Sequence, residues 1–242
     1  MNTRCAPRPF ARAVPVDLGW TSQVGDVIGD VLQLVRLAGL AANRALWQAV
    51  DLRSGERLAL WMGTPGVGFS CPRLLHDGLC TAVQYGVLAD GAPWQAQPWV
   101  DGVDLSQFAG EPQSADAVAW VGLQVVQALA ALHDGGWAHG HLTASQVRVA
   151  LGDRQAMHIV VVGLHEAQLL PVDGLSRSVS TDGRAVGALL YQLLSGHPPL
   201  APDDADGRSS SRLPAAAPRT LRRVISSLLE TGDGAAAPWD PI

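Results

Sequence analysis

The sequence predicts an α+β fold in two lobes, a small antiparallel sheet followed by a mostly helical half. Two observations predict it. Up to about residue 100, short runs rich in Val, Leu and Trp alternate with turn sequences such as Arg53-Ser-Gly-Glu and Ala89-Asp-Gly-Ala-Pro, which is the pattern of successive hairpins. Beyond residue 101, apolar residues recur at helical spacing in three long segments.

In chain order, residues 1–23 are rich in Pro, Ala and Arg without a period and read as a flexible tail. Residues 24–100 form a β domain. Strands are expected at 31–37, 46–52 and 57–62, with a hairpin turn over 39–47, and at 82–88 and 94–100. Gly63, Pro65, Gly66, Gly68 and Pro72 break any helical run after the third strand, leaving at most one turn at 71–75. That gap should leave one apolar face of the sheet bare, a candidate partner surface. Residues 101–230 form the helical lobe. Ser114 caps a helix at 115–132 whose Trp120, Leu123, Val126 and Leu129 make one face. Gly135–Gly136 stop it, and strands at 146–150 and 158–163 follow. A loop of about twenty residues at 164–181 should lead to a second helix with Asp182 as N-cap, ended by Gly196 and Pro198–Pro199. The last helix is expected at 220–230, and residues 231–242 are a C-terminal tail.

Composition removes several function classes. Hydrophobic residues make up 48% and charged residues 16%, which describes a globular chain. A net charge of −5 lacks the basic stripe that nucleic acid requires. The apolar run at 159–164 is too short to span a bilayer, and residues 1–17 lack the apolar core of a secretory signal. Three cysteines (Cys5, Cys71, Cys80) have no metal spacing and suit a reducing cytoplasm; Cys71 and Cys80 could lie side by side, paired or as free thiols. The chain has no lysine: all 17 basic residues are Arg. Chemistry that needs an ammonium on a phosphate or a Schiff base is excluded.

The segment His139-Gly-His-Leu-Thr-Ala-Ser-Gln146 occupies the place of an H-R-D-L-x-x-x-N catalytic loop, and Val161-Val-Gly163 that of D-F-G. With Asp182-Gly-Arg-Ala-Val-Gly187 and the Gly-His-Pro-Pro ending at 196–199, the chain resembles eukaryotic-type protein kinases in their bacterial form, from about residue 24 to 230. The resemblance implies a two-lobed kinase-like fold with a reduced N-lobe, its regulatory helix vestigial or absent, and a C-terminally shortened helical C-lobe. It also places Gln97 at the gatekeeper and Pro98-Trp99-Val100 at the hinge.

On that resemblance, each group that phosphoryl transfer needs is altered. The Gly-rich loop falls on Gly39-Leu-Ala-Ala-Asn-Arg44, with one Gly of three left. The strand-three Lys becomes Trp61, whose indole offers one neutral donor. The catalytic Asp becomes His141, the metal-binding Asn becomes Gln146 and the metal-binding Asp becomes Val161, which cannot ligate Mg²⁺. Arg148 falls below the adenine position and should fill it. The framework positions His139, Gly163, Asp182 and Gly187 are kept, with Asp182 expected to bind backbone amides near His139–His141.

The expectation is a pseudokinase without catalytic residues, nucleotide, metal or other cofactor, acting as a cytoplasmic protein–protein interaction or regulatory module. Its partner would be a kinase, a phosphopeptide reader or a secretion or envelope component; neither nucleic acid nor direct membrane insertion is expected. The alternative is an enzyme with rebuilt nucleotide-dependent transferase chemistry, His141 serving as base and Glu166 holding a metal. Ser176, Ser178, Ser180 and Thr181 are candidate phosphoacceptors, placed where kinases are phosphorylated.

Overall fold

The structure is a computed structural model, and it describes residues 22–151, 156–170, 175–199 and 213–230. The expected tails at 1–23 and 231–242 lie almost wholly outside these residues.

Six antiparallel strands make the first lobe: β1 (Val27–Ile28), β2 (Leu32–Ala41), β3 (Arg44–Asp51), β4 (Arg57–Gly63), β5 (Gln84–Val87) and β6 (Pro93–Pro98), in the order β1-β2-β3-β4-β6-β5. One face carries Leu34, Trp47, Leu58, Leu60, Met62 and Trp94, all buried in a core of their own. Strand alternation sends Ala59 and Trp61 to the other face, toward the second lobe. The first hairpin is tighter than the sequence suggests, because β2 runs through Gly39 to Ala41 and only Ala42 and Asn43 turn. Irregular register at Leu34/Arg36 and Leu37/Gly39 bends β2 there.

No helix forms between β4 and β5; even 71–75 is irregular. The face of the sheet expected to be bare is nevertheless covered, because this segment crosses it as irregular chain, and Ala59, Gln95 and Gln97 are buried there. Ser70 N–H donates to the His165 carbonyl at 2.9 Å. The Cys71 thiol reaches Gln95 Oε1 at 3.0 Å, and Leu74 packs on the lower core. Glycine and proline forbid the helix but not the burial.

The second lobe opens with β7 (Gly102–Asp104) and a short 3₁₀ turn, then α1 (Ala115–Asp134), β8 (Trp137–Ala138), β9 (Val147–Leu151), β10 (Met157–Val161), β11 (Gln168–Leu169), α2 (Leu175–Ser195) and α3 (Arg219–Glu230). Ser114 Oγ accepts from Ala117 N–H and caps α1. Strands pair as β10-β9-β7 and β11-β8. Val118, Val125, Leu129, Leu132, Val186, Tyr191 and Ile225 sit in one core that joins the three helices. Residues 117–133 carry no charge and exceed the 159–164 run, so α1 is long and apolar enough to cross a bilayer by length and composition. Its buried side packs against α2, β8 and β10.

Two expectations about α2 are corrected. The helix begins at Leu175, so the long loop at 164–181 is cut short and Asp182 lies inside the helix rather than at its N-cap. No Gly or Pro falls between Leu175 and Asp182, and Val179 and Val186 extend the buried face backwards. Ser178, Ser180 and Thr181 are therefore helical: Ser180 is buried, Ser178 half-buried and Thr181 exposed. Ser176 is helical as well, and its side chain lies outside the described residues.

Candidate functional site: side chains bridging the two lobes

The cleft between the lobes is built from β4, β6 and the β2–β3 turn above, and from the 139–148 loop, β10 and residues 161–166 below. At its centre Trp61 stacks on His165, ring centroids 3.9 Å apart with an interplanar angle of 23°. Phe69 meets the same imidazole edge-on at 6.1 Å. Arg44, the first residue of β3, forms an ion pair with Glu166 and lies over the Phe69 ring. One contiguous set of side chains thus bridges the upper and lower walls. Burial, reinforced by the nearby Arg44 charge, pushes the His165 pKa down to about 3. The ring is therefore neutral at pH 7, which suits it to stacking on an indole.

The lower wall is held by framework groups. The buried Asp182 carboxylate accepts from His139 N–H at 2.8 Å and Gly140 N–H at 2.7 Å, and lies 2.8 Å from His133 Nε2. His139, also fully buried, bonds through Nε2 to the Val162 carbonyl at 3.0 Å. Burial lowers its pKa too. Gly163 has φ +89°, a left-handed conformation that turns the chain into the Leu164–Glu166 3₁₀ turn. A Cβ on Gly187 would meet Leu228 Cβ at 2.8 Å, so glycine here lets α2 and α3 approach closely.

The positions matched to catalytic residues have other occupations. Val161 is fully buried, and its N–H donates to the Gly78 carbonyl while its carbonyl accepts from Cys80 N–H, which stitches β10 to the segment before β5. Gln146 Oε1 accepts from Thr143 N–H at 2.9 Å, and its side-chain amide lies beside Gly163. Arg148 points away from the face of Val147 and Val149, and its guanidinium donates to the Gly102 carbonyl at 2.8 Å and pairs with Asp104 at 3.1 Å. Two of its nitrogens are thereby partnered, while its buried Nε has no hydrogen-bond partner. Gly39 has room for a Cβ, its nearest neighbour there being Leu46 Cβ at 3.7 Å; no close backbone approach depends on it. Gln97 is buried.

His141 is exposed and does not share a strand face with the buried His139, because Gly140 at φ +79° turns the chain between them. Glu166 is committed to Arg44 rather than to His141. Among the described residues no three His, Cys, Asp or Glu side chains cluster as metal ligands. Cys71 and Cys80 are both free thiols, and burial pushes the Cys80 thiol up to about 12. Sequence reasoning missed His165, Arg44 and Phe69. The adjacent His165–Glu166 pair was the available signal, but no local rule says which ring an imidazole will meet.

A comparison with solved structures decides the architecture. The chain superposes on the PknI kinase domain of Mycobacterium tuberculosis with a TM-score of 0.65, covering 87% of this chain and 92% of that one at 21% sequence identity. The chain has a protein-kinase-like fold. At that identity the likeness concerns the fold alone. No protein-family model matches the chain, and no curated protein matches it by sequence. With the kinase-like fold in hand, the first lobe is a reduced N-lobe in which irregular chain stands between β4 and β5, and the second is a C-lobe built on α1, α2 and α3.

Proposed function

We propose that this kinase-like chain is a pseudokinase: it transfers no phosphate, binds no nucleotide, and works by engaging another protein. The observation that carries this reading is the Trp61–His165 stack at 3.9 Å, locked by Arg44 and Glu166 in the middle of the cleft. Phosphoryl transfer there would need a cation on the phosphates and oxygen ligands for Mg²⁺. In their place are an indole, a neutral imidazole and the buried Val161. Losing even one charge-stabilising group costs about 2.7–4 kcal/mol in the transition state. The retained Asp182–His139 framework keeps the fold while the chemistry is gone, which suits a binding module.

The test is a thermal melt with ATP, ADP or a non-hydrolysable analogue, with and without Mg²⁺ or Mn²⁺. Saturation at 100 times the dissociation constant would add about 2.7 kcal/mol of stability. The expected shift is none at millimolar nucleotide. A clear shift, or transfer of phosphate or AMP that disappears in His141→Ala, would overturn the reading in favour of rebuilt chemistry.

A further inference from the structure

One edge of the first lobe is covered for only part of its length. β1 pairs with β2 at Gln33 and Leu32, and Leu34 is held by Gly25 N–H and the Asp26 carbonyl, each at 2.8 Å. Over this stretch Leu32 and Leu34 are buried. Beyond Leu34 that edge of β2 has no backbone partner among the described residues. There Val35, Leu37 and Leu40 are 42%, 43% and 51% exposed. Leu37 and Leu40 stand opposite Trp47 and Ala45, both buried in the first-lobe core, so the apolar face of the sheet runs out to this edge without a cover. An open strand edge pairs readily with another strand, and folded chains blunt it with charge, proline or a covering segment. Here Arg36 is the only charge from Val35 to Ala41, and there is no proline. The bends at Leu34/Arg36 and Leu37/Gly39 turn the edge but leave its side chains bare.

The chain's own N-terminal segment fits this edge. Ser22 is the first described residue. The Gln23–Asp26 turn holds the entering chain near Leu34, with Asp26 N–H donating to the Gln23 carbonyl at 3.1 Å and Gln23 N–H to Asp26 Oδ2 at 2.7 Å. The residues before Ser22, taken together, have no period, but the last of them do. Val16, Leu18 and Trp20 alternate with Asp17, Gly19 and Thr21, the spacing of one apolar face on an extended chain. Six extended residues span about 20 Å, the length of β2 from Val35 to Leu40. With Val16, Leu18 and Trp20 on the side of Leu37 and Leu40, Asp17 falls on the other side. That is the side of Arg36, which donates to Gln48, lies over the Trp99 ring and has no carboxylate partner among the described residues. The three Arg of the segment, Arg4, Arg8 and Arg12, lie further back. A segment tethered by a short link acts at an effective concentration on the order of millimolar, which favours it over a second copy or a separate protein.

We propose that residues 16–21 lie extended along the free edge of β2, against Val35, Leu37 and Leu40, as a strap that completes the first-lobe sheet. The strap backs the β2–β3 hairpin, from which Arg44 reaches Glu166.

The experiment is amide exchange, read by mass spectrometry, on the full chain and on full-length variants. Leu18→Asp with Trp20→Asp puts charge on the apolar side of the strap, Leu37→Asp puts it on the edge, and Thr21→Asp is the control on the other side. In the first variant the amides of 35–41 should exchange at least about tenfold faster than in the unaltered chain, with the centre of α1 unchanged. Leu37→Asp should release 16–21 in the same way. Should it fail to fold, the tail variant decides alone, because its substitutions lie outside the described residues. Thr21→Asp should change neither stretch. Exchange at 35–41 unmoved by Leu18→Asp with Trp20→Asp, or moved equally by Thr21→Asp, would overturn the proposal. So would a dimer by light scattering together with exchange at 35–41 that quickens on dilution, since a second copy would then hold the edge. None of these results touches the nucleotide melt, so the strap and the pseudokinase reading stand or fall separately.

Discussion

Replacing Asp182 by alanine tests how the 139–146 loop is held. The carboxylate is fully buried and receives two backbone N–H groups, from His139 and Gly140, while His133 Nε2 lies at 2.8 Å. Alanine leaves all three groups facing a void. Each buried polar group stripped of its partner costs about 1–3 kcal/mol, and neighbours in one network do not add fully. A total near 3–5 kcal/mol is expected for Asp182→Ala. For a chain of this length about 2–4 °C is lost per kcal/mol, so the melting temperature should fall by roughly 6–20 °C, read by calorimetry or circular dichroism. Loosening of the 139–141 backbone should also speed amide exchange at His139 and Gly140 relative to the centre of α1. A fall below about 2 °C, with exchange at those amides unchanged, would show that the carboxylate does not bridge α2 to the loop and would refute the reasoning.

Further expectations follow from the same geometry. The His165 pKa is depressed from 6.5 to about 3 by burial, so its contribution to stability is complete above pH 6.5 and is lost as pH falls toward 3. The unfolded chain takes up the proton first in that window. The loss should be about 1.4 kcal/mol per pH unit, or about 2.7 kcal/mol at pH 4.5; His165→Phe should flatten the slope of stability against pH, and an unchanged slope would mean the imidazole is not held neutral. Gly187→Ala gains up to about 1 kcal/mol in helix propensity. It also drives a methyl to 2.8 Å from Leu228 Cβ and 3.1 Å from Leu229 N, an overpacking that costs about 1–3 kcal/mol. The net effect should be destabilising, and a rise in melting temperature would contradict the α2–α3 contact. Cys80, 4% exposed with its thiol pushed up to about 12, should resist alkylation at pH 8 until the protein unfolds; labelling of Cys80 at the rate of a free thiol, mapped by peptide mass, would place it at the surface.

The sequence by itself determined most of the element types and which residues stand at the positions matched to kinase chemistry. Strand runs between turn dipeptides, Ser114 ahead of an apolar-faced helix and the glycines and prolines at 63–72 act through local backbone preferences, which a sequence displays directly. The absence of any lysine and the apolar Val161 are likewise facts of composition. Tertiary structure decided what those residues touch. Residues 64–79 pack on the sheet as irregular chain with turns at 65–66 and 77–78, because backbone groups of Ser70 and Val161 find partners distant in sequence. Val179 and Val186 carry α2 back past Asp182, since a buried face to pack against outweighs the helix-starting preference of an aspartate. Trp61 meets His165 across 104 positions of chain, and the tie between the lobes comes from that meeting. Contacts between residues far apart depend on how the lobes pack, and no short-range pattern encodes them.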